Sequence, residues 1–205
     1  MSSLLPASVD RLPAEGLLLD VGGWAKPLAR ADWVIDLLPY ATRGLYGQAG
    51  DADAERFTAD TWVEADICTP WPFEDGMFDF AVCSHTLEDV RDPVFVCSEL
   101  QRVARAGYLE VPSRIEEHMR DLNGPWAGWA HHRWICDIDP FAPSVDFVFK
   151  SHAIHTRTVP RAELPPERRV QWLWWEGGFA YRERIFTEPA DLDAWLEEPL
   201  HAVLD

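Results

Sequence analysis

Basic residues are scarce in this chain: 18 lysines and arginines face 35 acidic residues, a formal net charge of −17. Such a chain repels a phosphate backbone and an anionic bilayer surface, so neither nucleic acid nor membrane is expected as a partner. The arginines Arg161, Arg168 and Arg169 are a local exception that reads as a solvated loop. Cysteine is scarce too. Cys68, Cys83, Cys97 and Cys136 form no CxxC pair, so no disulfide framework is expected. Three of them sit in apolar segments, where a thiol behaves as a small hydrophobe. Reduced thiols and a cytoplasmic location follow as expectations. There is no basic-then-apolar leader, no apolar run of membrane-spanning length and no internal repeat.

What is present is a globular composition, 47% hydrophobic and 26% charged, which 205 residues can fold around one core. Eleven tryptophans are a heavy load. Placed in connecting segments, such large flat side chains suggest a deep or well-covered pocket.

Short apolar runs recur along the first half, each ending in small or acidic residues. Residues 17–21 end at Gly22-Gly23, 33–37 contain Asp36, and 62–67 end at Asp66-Ile67. The run Phe78 to Cys83 breaks into Ser84-His85-Thr86-Leu87-Glu88-Asp89. A fifth run, 108–112, follows a helical pattern that Asp92 and Pro93 open and that stops near Gly107. Strands alternating with a helix indicate a parallel α/β sheet, whose ligands bind at the carboxyl ends of the strands. Residues 1–16 read as a leader with one short helix, and 39–61 as a long loop. Beyond residue 116 the pattern changes. Strands are expected at 133–138 and 145–150, a hairpin at 170–186 around Glu176-Gly177-Gly178, and a short helix around 192–196. These residues read as an antiparallel extension of a single domain spanning 1–205, with 17–115 as its parallel α/β core.

Four segments in order carry a resemblance: Cys83-Ser84-His85-Thr86-Leu87-Glu88-Asp89-Val90, Glu99-Leu100-Gln101-Arg102-Val103, Gly107-Tyr108-Leu109-Glu110-Val111-Pro112-Ser113 and His132-Arg133-Trp134. The chain resembles the class I S-adenosylmethionine-dependent methyltransferases over roughly residues 17–135. The resemblance implies an α/β, Rossmann-like, mostly parallel sheet with a short first helix and a β-rich C-terminal extension. It implies S-adenosylmethionine as cofactor. Asp20, Gly22 and Gly23 would meet its amino-acid part, Asp36 and Leu37 its ribose, and Asp66 and Ile67 its adenine. Ser84 and His85 would lie beside the sulfonium.

Two departures stand out. The glycine turn lacks a third glycine, and Asp89 replaces the family's usual histidine. Only ten residues, Trp24 to Trp33, follow that turn before the second strand, so the first helix is expected to be a turn or two beginning at Pro27. Lys26 could supply charge there.

For the chemistry, His132, His131 and His85 are the candidates for removing a proton. Trp126, Trp129 and Arg133 are the candidates for holding a small-molecule substrate. Glu110 reads as a structural hydrogen-bonding group or pocket wall. The spacing of His118, His131, His132, Cys136, Asp137 and Asp139 fits no familiar zinc pattern, so no metal is expected. Two other readings stay open: the same fold catalysing a cyclisation, elimination or hydrolysis, or a non-catalytic binding protein.

Overall fold

A computed structural model describes residues 9–50 and 55–204. Its centre is a six-stranded sheet of β1 (Leu18–Val21), β2 (Trp33–Asp36), β3 (Trp62–Glu64), β4 (Phe78–Ser84), β5 (Ala104–Pro112) and β8 (Val170–Glu176). The spatial order is β3-β2-β1-β4-β5-β8. The first five strands are parallel, and β8 closes the edge antiparallel to β5. Parallel strands are covered on both faces, which is why these segments are nearly continuous runs of apolar residues. Alternate residues point to opposite sides. Leu19, Val21, Ile35, Ala81 and Cys83 enter one core with Val96 and Leu100, while Leu18, Val34, Phe80 and Val82 enter another with Leu28, Phe57 and Tyr108.

One helix, α1 (Pro93–Val103), covers the first of these faces. Asp92 caps it by accepting the Phe95 amide at 2.9 Å, and Pro93 occupies its first turn, as expected. It stops at Val103, short of Gly107. Gly107 lies inside β5 instead, because a Cβ there would meet the Ala81 carbonyl at 2.5 Å and the Trp175 ring at 2.7 Å. No helix forms at Pro27. Ten residues are too few for a crossover helix, and Leu28, Ala29 and Ala31 are buried directly against the sheet. Side-chain and backbone bonds replace the helical ladder: Asp20 Oδ2 accepts the Leu28 amide at 2.8 Å, and Ala29 donates to the Ala49 carbonyl at 2.9 Å.

The second half begins with a short helix, α2 (Arg114–His118), capped by Ser113. It builds a second sheet from β6 (Trp134–Asp139), β7 (Ser144–Phe149) and β9 (Ala180–Glu183), in the order β6-β7-β9. β6 and β7 form the expected antiparallel pair, whereas β9 runs parallel to β7. The hairpin expected across Glu176-Gly177-Gly178 is therefore not one: β8 and β9 belong to different sheets. Gly177 and Gly178 have φ of 72° and 141°, backbone that favours glycine and lets the chain leave one sheet for the other. Two short helices, α3 (His152–His155) and α4 (Pro166–Arg169), link β7 to β8. The last helix, α5 (Pro189–Leu204), is longer than expected. It buries Trp195 and Leu196 against Ile135, Val148 and Ile154. The loop at 39–61 contains single helical turns at Tyr40–Thr42 and Ala59–Thr61. The leader helix expected in 1–16 falls largely outside the described residues. All four cysteines are free thiols, and no described helix is long and apolar enough to cross a membrane.

Candidate active site

The strand order reverses between β1 and β4, the switch point at which open α/β sheets receive ligands. A cavity of about 840 Å³ lies there, over the carboxyl ends of the parallel strands. That is the size of a typical small-molecule site. Gly22 reaches it from β1, Asp36 and Leu37 from β2, Asp66 and Ile67 from β3, and His85 from β4. Its opposite wall comes from the second half of the chain, through Glu116, Trp129, His131, His132, Arg133 and Arg169. A side chamber of about 50 Å³ is lined by Asp20, Gly22, Gly23, Lys26, Ser84 and His85. The residues predicted from separate strand ends thus share two adjoining spaces. Trp126 is the exception: it lies half exposed against the His155 ring, outside both linings.

The glycine turn is packed from beneath. Gly22 has φ 76°, and a Cβ on it would lie 2.3 Å from Thr86 Oγ1. A Cβ on Gly23 would lie 2.2 Å from Asp20 Oδ2. Asp20 is thus a strut under the turn, and its full burial raises its pKa to about 7. Asp36 holds the turn from the other side. Its Oδ2 accepts the Trp24 amide at 2.9 Å and its Oδ1 the Leu38 amide at 2.8 Å. Burial raises its pKa. Each oxygen keeps a further lone pair, so Asp36 can still accept from a ligand diol. Asp66 accepts the Cys68 amide at 2.9 Å and is ion-paired with Arg91, which lowers its pKa. The donor set thus fits an adenosine-bearing cofactor: acceptors at the ends of β2 and β3, and glycine backbone at the end of β1.

His85 has φ 51°, an uncommon conformation for a residue with a Cβ. The turn aims its ring between two buried carboxylates. Nδ1 lies 3.5 Å from Glu88 and Nε2 3.3 Å from Glu110. Neither contact has hydrogen-bond geometry, so the attraction is electrostatic; Nε2 and both Glu88 oxygens are without a hydrogen-bond partner. Burial alone would lower the imidazole pKa, but the two carboxylates outweigh it and raise it to about 9. His85 therefore holds its proton at neutral pH. Ser84 turns toward Glu110, 3.4 Å from its Oε1.

On the opposite wall His132 Nδ1 lies 2.5 Å from Glu117 Oε1. Glu117 is buried, and its other oxygen accepts from Lys150 Nζ at 2.8 Å. Lys150 also donates to the Trp129 carbonyl at 2.9 Å. Burial opposes the charged imidazole of His132, yet the Glu117 carboxylate prevails and the pKa of His132 is raised. His131 is exposed beside it, ring centroids 4.5 Å apart.

Sequence reasoning missed Glu88, Glu117 and Lys150. Lys150 carries a signal, being one of only two lysines and ending an apolar strand. Glu117 carries none, because its partners come from distant segments. Arg169, read from the sequence as part of a solvated loop, instead lines the cavity in a bidentate pair with Glu116, with both bonds at 2.9 Å.

Residues 33–109 match the family model described as "Methyltransferase domain". No curated protein matches the chain. Among solved structures, the chain is similar to an S-adenosylmethionine-dependent methyltransferase from Mesorhizobium loti, at 21% identity and a TM-score of 0.40, over 55% of each chain. It is also similar to the YcgJ protein of Bacillus subtilis, at 16% identity and a TM-score of 0.40, over 56% of this chain and 51% of that one. The chain thus spans about half the length of these two structures. That family match implies S-adenosylmethionine as cofactor, and the β3-β2-β1-β4-β5 order is that of the Rossmann-like fold expected from the sequence.

Proposed function

We propose that this protein transfers a methyl group from S-adenosylmethionine to a small-molecule acceptor. The observation that carries the reading is one cavity that collects Gly22, Asp36, Asp66, Ile67 and His85 from the ends of successive parallel strands. When bound, the cofactor supplies an electrophilic methyl group on a sulfonium. The rest is positioning, which is where most of the rate of an in-line displacement originates. Asp36 would accept from the ribose hydroxyls and Asp66 from the adenine amine. The turn at Gly22-Gly23 would receive the amino-acid part. Without a helix after β1, no helix N-terminus faces the cofactor carboxylate, and Lys26 and the protonated His85 on the wall of the side chamber are the cations available there.

On the acceptor side, Trp129 and Arg133 would hold a flat or anionic molecule against the opposite wall. His132 is the group suited to take its proton. Glu117 accepts from Nδ1, so the neutral ring presents its Nε2 lone pair to the acceptor, and the raised pKa of His132 means that this form gains as the pH rises. His85 is less suited to that task because two buried carboxylates flank its ring, 3.5 Å and 3.3 Å away, where His132 has one, and its contribution is electrostatic. His131, exposed and without a carboxylate partner of its own in hydrogen-bond range, supports the wall.

One observation favours the alternative of a non-methylating reaction in the same cavity, namely the missing helix after β1. A methyl-transfer assay that stays silent while substrate is consumed would favour that alternative, and calorimetry with S-adenosylmethionine and S-adenosylhomocysteine tests the methyl-transfer reading. Binding that weakens at least tenfold in Asp36→Ala is expected, and no binding of either compound at millimolar concentration would defeat the methyl-transfer reading.

A further inference from the structure

Asp89, His131 and His132 converge on the cavity wall, each offering a ligand atom, with all three atoms within 4.8 Å of one another. Asp89 comes from the turn after β4 and the histidines from the loop before β6, so only the fold brings them together. Three further observations bear on this cluster.

The first is the support behind His132. Glu117 accepts a hydrogen bond from Nδ1 at 2.5 Å and is itself held by Lys150 at 2.8 Å. A carboxylate behind an imidazole is the usual outer partner of a metal-bound histidine, because it fixes the ring and raises the basicity of the other nitrogen. The second is Asp89 Oδ1, which is buried and has no hydrogen-bond partner. A carboxylate oxygen removed from water without a partner is costly, and a cation is the partner that relieves it. The third is position: all three residues line the 840 Å³ cavity, so open coordination sites would face a bound molecule.

We propose that Asp89, His131 and His132 form a binding site for a divalent transition-metal ion of the zinc class. Two imidazoles and one carboxylate suit zinc and its borderline-soft neighbours, whereas magnesium and calcium favour oxygen alone. Ligands bonded at roughly 2.0–2.1 Å to one ion lie about 3–4 Å apart. A small turn of the exposed His131 ring closes the remaining distance, while Glu117 keeps His132 in place. The site stands independently of methyl transfer but shares His132 with it. An ion on Nε2 occupies the lone pair that otherwise takes the acceptor's proton, so the two uses exclude each other.

The test uses the full chain, stripped with a chelator and titrated with cobalt(II), whose visible absorption reports bound ligands, and with zinc(II) by calorimetry. One ion per chain is expected. Asp89→Asn and His131→Ala should each weaken binding at least tenfold, and Glu117→Gln by about 10–100-fold through the lost outer partner. His131 is exposed, so its variant keeps the fold, which circular dichroism checks. Absence of stoichiometric uptake, or uptake unchanged in Asp89→Asn and His131→Ala, overturns the proposal. No cofactor or acceptor is present in these titrations. Failure of the metal site is therefore separate from failure of S-adenosylhomocysteine binding, measured with chelator present.

Discussion

Replacing His85 by glutamine should reveal how a buried cation holds two acids together. In the native protein the imidazole sits 3.5 Å from Glu88 and 3.3 Å from Glu110, side chains that are 1% and 0% exposed. Its pKa rises from 6.5 to about 9. A proton held about 2.5 pH units more tightly is worth about 3 kcal/mol, at 1.36 kcal/mol per unit. The sign follows from linkage. The folded pKa lies above the unfolded one, so this contribution is fully present below about pH 6.5. It is lost as the pH rises through about 9. Native stability should therefore fall between pH 7 and 10. The glutamine variant should lose about 3–5 kcal/mol near neutrality, the usual cost of removing one partner from buried charges. That deficit should shrink in alkali, where the native imidazole also loses its proton. Urea unfolding across this pH range measures both curves, and the His85 imidazole proton resonances give the titration directly. An imidazole that titrates at or below 6.5, or parallel stability curves from pH 7 to 10, would refute the reasoning.

Two further perturbations probe the glycine turn. Gly22→Ala places a Cβ 2.3 Å from Thr86 Oγ1 on backbone at φ 76°. It should cost roughly 1–3 kcal/mol from the backbone alone, and more from the clash, read as a lower melting temperature. Thr86→Ser removes one of the clashing methyl contacts and should recover part of that loss. Asp20→Asn keeps an oxygen for the Leu28 amide but removes a buried charge whose pKa is about 7. A raised carboxyl pKa means stability that is full below the unfolded value and lost as the pH rises through 7. The variant should therefore gain on the native protein in the alkaline direction. A stability difference independent of pH between 5 and 9 would show that Asp20 is not the titrating group.

Much of the fold is legible in the chain because parallel strands announce themselves. A buried strand must be apolar on both faces and must stop where the backbone turns toward the ligand side. Leu18–Val21, Trp33–Asp36 and Phe78–Ser84 meet that requirement with Gly22, Leu37 and His85 immediately after them. Chain length alone also ruled out a full helix after β1. The pairing of β8 and β9 was not legible, since two apolar runs around a Gly-Gly look like a hairpin whichever sheets they join. Their partners, Ala106 to Pro112 for β8 and Ser144 to Phe147 for β9, are distant in the chain.

Residue order by itself determined the parallel sheet, the strand ends and hence the residues that the strand ends bring to the cavity. These are local properties, set by apolar patterning and by the few residues that end a strand. The state of each side chain was decided only by the tertiary structure. His85 and His132 are both histidines beside tryptophan-rich or acidic sequence, and either could serve as a base on paper. Packing puts His85 between two buried carboxylates, where it keeps its proton, and His132 against the single carboxylate of Glu117, which raises its pKa as well. It also brings Asp89 beside the tandem histidines, a juxtaposition that residue spacing does not announce. Protonation and ligation depend on through-space distance and burial, and residues far apart in the chain supply both.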